Sequence, residues 1–192
     1  MELKKINFEY SEDITVINED QFDVHMRLYE GYINKINEID RLLLDAQDLE
    51  QSNATYSNYR GLKRGETFAL NGVVLHEYYF ENIGSSYNEP DSQMRDFIAR
   101  EFGSYERWEN HFVATAKASR GWAILCYDIR SGHLRNISLD AHDVGNLAIS
   151  VPLLVIDMYE HAYFLQYADK KADYINNFMN NINWNVVNNR II

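Results

Sequence analysis

The chain has 192 residues, 46% hydrophobic and 14% aromatic, which is material for one domain or two small lobes sharing a core. Its formal net charge of −11 argues against nucleic acid or an anionic membrane as the main partner, and a small anion would have to be drawn in by local positive groups. A single cysteine, Cys126, excludes an internal disulfide and a thiolate zinc site.

The first residues, MELKKINFEYSEDI, hold no apolar core of signal-peptide length, and no segment has the length of a membrane span, so a cytoplasmic protein is expected. From Asn18 to about Leu49, Val24, Leu28, Tyr32, Ile36, Ile39, Leu42 and Leu43 recur at helical spacing, and Asn18 is a suitable cap. The polar stretch EQSNATYSNYRG follows. A second helix is predicted from Glu66 to Asn82, with Phe68, Leu70, Val74, Leu75 and Tyr78 inward, closing an antiparallel hairpin. The turn-rich IGSSYNEPDS, containing Pro90, is the expected boundary between a hairpin lobe over 1–86 and a second lobe over 87–192.

Two short helices come next, the second starting at Ser104 ahead of acidic Glu106. GWAILCYD, LRNISL and AISVPLLVI read as strands, with RSGH turning between the first two. VIDMYEHAYFLQY and ADYINNFMNNINWNVVNNRI are expected to close the chain as helices. The fold class is α+β: a helical hairpin, then a mixed lobe with a three-stranded antiparallel sheet and flanking helices.

Asp157 and His161 stand out because they lie in an apolar, aromatic segment, where a buried polar group needs a partner. Four residues apart on a helix they would share a face and reach one ion. His25 and His76 fall in the apolar segments of the hairpin, whereas His111 reads as a packing residue and His133 as a turn residue. Three imidazoles and one carboxylate would make a site suited to iron, manganese or zinc. Taken singly, each residue also fits a surface ion pair or a satisfied core histidine.

The surrounding residues favour the metal. VIDMYEHAYFLQYADKKADYINNFMNNINWNVV resembles the carboxy-terminal signature of the iron/manganese superoxide dismutases: Asp, two residues, Glu-His-Ala-Tyr, then Asp-Tyr and Asn-Trp pairs. FGSYERWENHFVATAKASRGWAIL is similar to the family's middle segment, NGVVLHEYYFENIG to its second helix and HMRLYEGYINKINEI to its first. The resemblance implies a superoxide dismutase with one iron per subunit, manganese being the alternative, working on superoxide as a homodimer or a dimer of dimers.

By the same resemblance His76, Asp157 and His161 are metal ligands. His25 is the fourth in a register with one residue fewer before Tyr32, while a gapless register puts Gln21 there instead. His142 takes the place of a glutamine that hydrogen-bonds the metal's solvent ligand, since the alternative position on the second helix is Gly72. That combination looks like the iron or metal-tolerant branches. Trp122 and Tyr159 are expected to wall the pocket beside Tyr32. Tyr29 and Phe164 replace the family's usual histidine–tyrosine bridge between subunits. Glu160 is expected to reach the partner's ligand histidine, and Lys171 to steer the anion. The rival readings are a family member without catalysis that serves as an interaction subunit, and a zinc hydrolase on the same ligands.

Overall fold

The computed structural model describes residues 2–84 and 89–190; the expected lobe boundary between residues 86 and 87 lies outside them. The hairpin consists of α1 (Glu19–Leu44) and α2 (Asn58–Asn82), with a short 3-10 turn at Leu49–Gln51 between them. α3 (Ser92–Phe102) and α4 (Tyr105–Ala118) follow, then β1 (Trp122–Asp128), β2 (His133–Leu139) and β3 (Ser150–Asp157). The chain closes with α5 (Phe164–Tyr167), α6 (Lys171–Met179) and α7 (Trp184–Asn188). Among the described residues no helix is long and apolar enough to cross a membrane.

Side-chain caps start the four long helices. Asn18, Ser57, Asp91 and Ser104 accept the backbone N–H of Gln21, Arg60, Met94 and Arg107, satisfying donors that a first turn leaves open. α1 stops at Leu44 rather than Leu49, and α2 begins at Asn58 rather than Glu66. The first turns of α2 are largely solvent-facing, so they need no apolar residues and give no hydrophobic period. The buried stripe of α1 is Phe22, His25, Tyr29, Ile33 and Ile36; Leu28 and Leu42 face outward, as does Leu70 on α2. Polar residues occupy the inner face, so apolar periodicity alone points the helix a fraction of a turn wrong.

The sheet has the order β2-β1-β3, antiparallel throughout. Central β1 is almost wholly buried, and Pro152 sits on edge strand β3, where a missing N–H is tolerated. The largest correction to the expected elements concerns VIDMYEHAYFLQY, which is not one helix: only its last four residues, α5, are α-helical. Asp157 is the last residue of β3, opposite Trp122 in register, and Glu160–Ala162 form a 3-10 turn. Strong strand formers (Val155, Ile156) carry the segment into the sheet, and the Met158 N–H donates to the Gly121 carbonyl at 2.7 Å. The closing helix is likewise broken, into α6 and α7, where Ile182 bridges to Ile83 and the Asn183 N–H donates to the Asn82 carbonyl.

The amino-terminal segment lies as an extended arm along α1. Asn37 pairs with both backbone groups of Leu3, at 2.8 and 2.9 Å, and the Ile6 N–H donates to the Tyr29 hydroxyl at 2.9 Å. That hydroxyl donates in turn to Glu77 on α2 at 2.7 Å. Tyr29→Phe strands the Ile6 amide and the Glu77 carboxylate together. Chemical denaturation should show a loss of about 1–3 kcal/mol, with the metal content of the purified protein unchanged.

Candidate metal centre

Four elements bring His25 from α1, His76 from α2, Asp157 from the end of β3 and His161 from the 3-10 turn to one point. One ligand atom from each lies within 4.8 Å of all the others. His25, His76 and Asp157 are fully buried, and the His161 side chain is 25% exposed, the one opening to solvent in the set. Asp157 and His161 meet because the chain reverses after β3, not because they share a helix.

Asp157 Oδ2 lies 3.0 Å from His25 Nε2, 3.1 Å from His161 Nε2 and 3.7 Å from His76 Nε2. Bonds of about 2.1 Å to one ion put ligand atoms at right angles about 3.0 Å apart, and those at 120° about 3.6 Å apart. The observed spacings match. The tautomer of His76 is fixed by its Nδ1–H, which donates to the Gly72 carbonyl at 2.5 Å. Its Nε2 lone pair is therefore aimed into the cluster, and that atom has no hydrogen-bond partner. A buried lone pair facing a carboxylate is an arrangement that a cation resolves. The donor set fits a single mixed nitrogen and oxygen metal ion.

Electrostatics follow the same pattern. Burial pushes the Asp157 carboxyl up, but the charge and hydrogen bonds of His161 and His25 outweigh it and hold the group well below the usual carboxylate range. Burial lowers His25 and drives His76 well down, keeping both neutral and able to coordinate. Burial also lowers His161, but its pairing with Asp157 raises it on balance.

The rest of the pocket is aromatic. The Trp122 indole N–H donates to His142 Nδ1 at 2.8 Å, so the His142 proton sits on Nε2, which donates to the Tyr32 hydroxyl at 2.8 Å. The Tyr32 hydroxyl proton is left for another partner. His142 thus sits between Trp122 and Tyr32, and burial lowers its pKa to about 4. Tyr159 stacks on His161 with ring centres 5.2 Å apart, and its N–H donates to Asp157 Oδ1 at 2.9 Å. Burial raises both the Tyr32 and Tyr159 phenols.

Several expected residues lie elsewhere. Tyr29 turns its hydroxyl to the amino-terminal arm and Glu77, away from the cluster, because those two partners satisfy it completely. Lys171 is partly buried and donates to the Ser119 carbonyl at the end of α4, at 2.9 Å. Glu160 is exposed in the single chain. Gln21 is outside the cluster and bonds backbone groups at and after His161. His133 pairs with Glu101, far from the centre in the sheet. Phe68, read only as core, has its ring 4.5 Å from His142; its place two helical turns before His76 was the signal for it. Tyr174, which the Asp-Tyr pair of the signature marked without giving it a role, donates to the Asp157 carbonyl at 2.9 Å.

In the metal-free protein the depressed His142 costs stability as pH falls from 6.5 towards 4, because the unfolded chain takes up the proton first. Between about pH 7 and about pH 5, denaturation should show the wild type losing roughly 2 kcal/mol more than His142→Gln.

The description "Iron/manganese superoxide dismutases, C-terminal domain" matches residues 90–190. The chain is 45% identical to the protein named "Superoxide dismutase [Fe]" of Aquifex pyrophilus over 178 residues, 91% of this chain and 84% of that one. It is 34% identical to the "Superoxide dismutase [Fe]" of Saccharolobus solfataricus, covering 91% and 85%. To "Superoxide dismutase [Mn] 2" of Haloferax volcanii it is 33% identical, covering 83% and 79%. A match across the second half of the chain, and relatives aligned over most of it, agree with four donors gathered from the hairpin and the sheet: this chain belongs to the iron/manganese superoxide dismutase family.

Proposed function

We propose that the chain is a working superoxide dismutase that holds one iron per subunit on His25, His76, Asp157 and His161. The observation that carries this reading is the convergence, within 4.8 Å, of a buried carboxylate, two imidazoles bonded to it and a third imidazole whose inward Nε2 has no partner. In the reaction two superoxide anions and two protons become dioxygen and hydrogen peroxide. Bound iron or manganese supplies a one-electron couple that takes an electron from one superoxide and gives it to the next. Zinc on the same donors has no such couple, and an interaction subunit would have no need to keep the four donors converged.

The chain's own residues do the rest. Asp157 contributes one buried negative charge and is held ionised by its histidine neighbours. His76 is locked by Gly72 with its lone pair inward. Tyr32 presents a hydroxyl whose pKa burial raises, so it keeps its proton until peroxide formation calls for one. The His142 N–H holds that hydroxyl in place, and Trp122 holds His142. Tyr159, Trp122 and Phe68 pack around His142 and wall that side of the centre. Lys171, whose ammonium group donates to the Ser119 carbonyl, is the cation assigned to drawing the anion in.

Iron is preferred over manganese because the Gly72 and His142 pair fits the iron or metal-tolerant pattern, and the Aquifex relatives named for iron are 45% identical against 33% for the Haloferax relatives named for manganese. A homodimer is inferred through Glu160: it is exposed between two residues of the centre, with Phe164 and Leu165 exposed close by. A dimer of dimers would extend it. The single buried thiol Cys126 fits a reducing cytoplasm.

Chelation should abolish cytochrome c-competing dismutase activity, and iron or manganese should restore it while zinc does not. His161→Ala should lose at least about a hundredfold in activity together with most of its metal. Activity near that of the wild type in this variant defeats the reading.

A further inference from the structure

We propose that Gln21 is a positioning residue of the centre: it fixes the backbone of His161 at the distance from His25 that a single ion requires. Gln21 is fully buried in the first turn of α1, four residues before His25. Its side-chain amide Nε2 donates to the His161 carbonyl at 2.5 Å, and its Oε1 accepts the Leu165 N–H at 3.0 Å. One amide therefore grips the chain at His161 and again four residues later.

The segment it grips has little structure of its own. His161 lies in a three-residue 3-10 turn, followed by the four-residue α5, which ends at Ala168 with φ 51°. Neither element is long enough to hold its own geometry. His25 and His76 ride on helices of 26 and 25 residues, and Asp157 is fixed in register by β1, so His161 is the donor whose position depends on borrowed contacts. Gln21 is itself held. Its N–H donates to the Asn18 cap at 2.9 Å, and the Asn18 N–H donates to Gln166 Oε1 at 2.6 Å. The capped end of α1 and the 161–166 segment are thus bonded at three points. Groups that orient a ligand without touching the ion commonly change metal affinity by about 10–100-fold when removed.

The proposal rests on the cluster being a metal site. Gln21→Met keeps the side-chain length but cannot donate and accepts only weakly. It should fold, with iron and manganese affinity by chelator competition lowered by about 10–100-fold. In its metal-free form the Leu165 amide should exchange with solvent about tenfold faster than in the wild type. If Gln21→Met does not fold, Gln21→Asn, one methylene too short to span both groups, should show the same two effects. Gln166→Ala cuts the neighbouring tie to Asn18 and should leave metal affinity within about threefold. Faster Leu165 exchange with unchanged affinity would make Gln21 a structural clamp only and overturn the proposal, as would an equal loss of affinity in Gln166→Ala. A wild-type chain that takes up no iron or manganese defeats the dismutase reading instead, and Leu165 exchange still reports whether the clamp exists.

Discussion

A carboxylate with no access to water is the constraint around which this fold is arranged. Asp157 is completely buried, and an ionised group in such surroundings is tolerable only with opposite charge and hydrogen bonds about it. Every neighbour serves that need. Two imidazoles bond one oxygen, the Tyr159 amide bonds the other, and Tyr174 satisfies the same residue's carbonyl. Burial keeps the His25 and His76 rings neutral while pairing with Asp157 raises His161, so the carboxylate faces one unpartnered lone pair, on His76, an arrangement that suits a cation.

Placement comes from elements of unequal rigidity. The two long helices and the central strand pair are fixed by core packing along their lengths, and they carry three donors. The fourth rides on a turn. This division suits a centre that has to open to solvent somewhere: the same turn that carries His161 gives the centre its exposed edge. The aromatic shell works in the opposite sense. Trp122, Phe68, Tyr32 and Tyr159 surround His142 closely, so a polar hydrogen-bonded chain runs through a dry wall.

Much of this was legible in the sequence, and for identifiable reasons. The caps at Asn18 and Ser104 follow local rules that tertiary contacts seldom override, and the Asp157 to Tyr163 motif is specific enough to bring the other donors with it. Placing His25 inward and Gln21 outside the cluster needed three dimensions. Asp157 and His161 were legible as partners for the wrong reason, since four-residue spacing serves a strand end and turn as well as a helix. The extended arm and the turning of Tyr29 to Glu77 left no trace, because each depends on contacts between segments far apart in the chain, and the early start of α2 was missed because its solvent-facing first turns carry no apolar period.

Gly72 has a significance beyond giving His76 a carbonyl. A methyl group in its place would come within 3.0 Å of the Tyr32 ring, so the phenol occupies volume that position 72 leaves vacant. Position 72 and the ring at 32 compete for one space, and His142 is bonded to the phenol that now fills it. These three sites, on separate parts of the chain, are therefore coupled: a larger residue at 72 would have to displace the phenol, and the imidazole beside it would lose its acceptor in the same step.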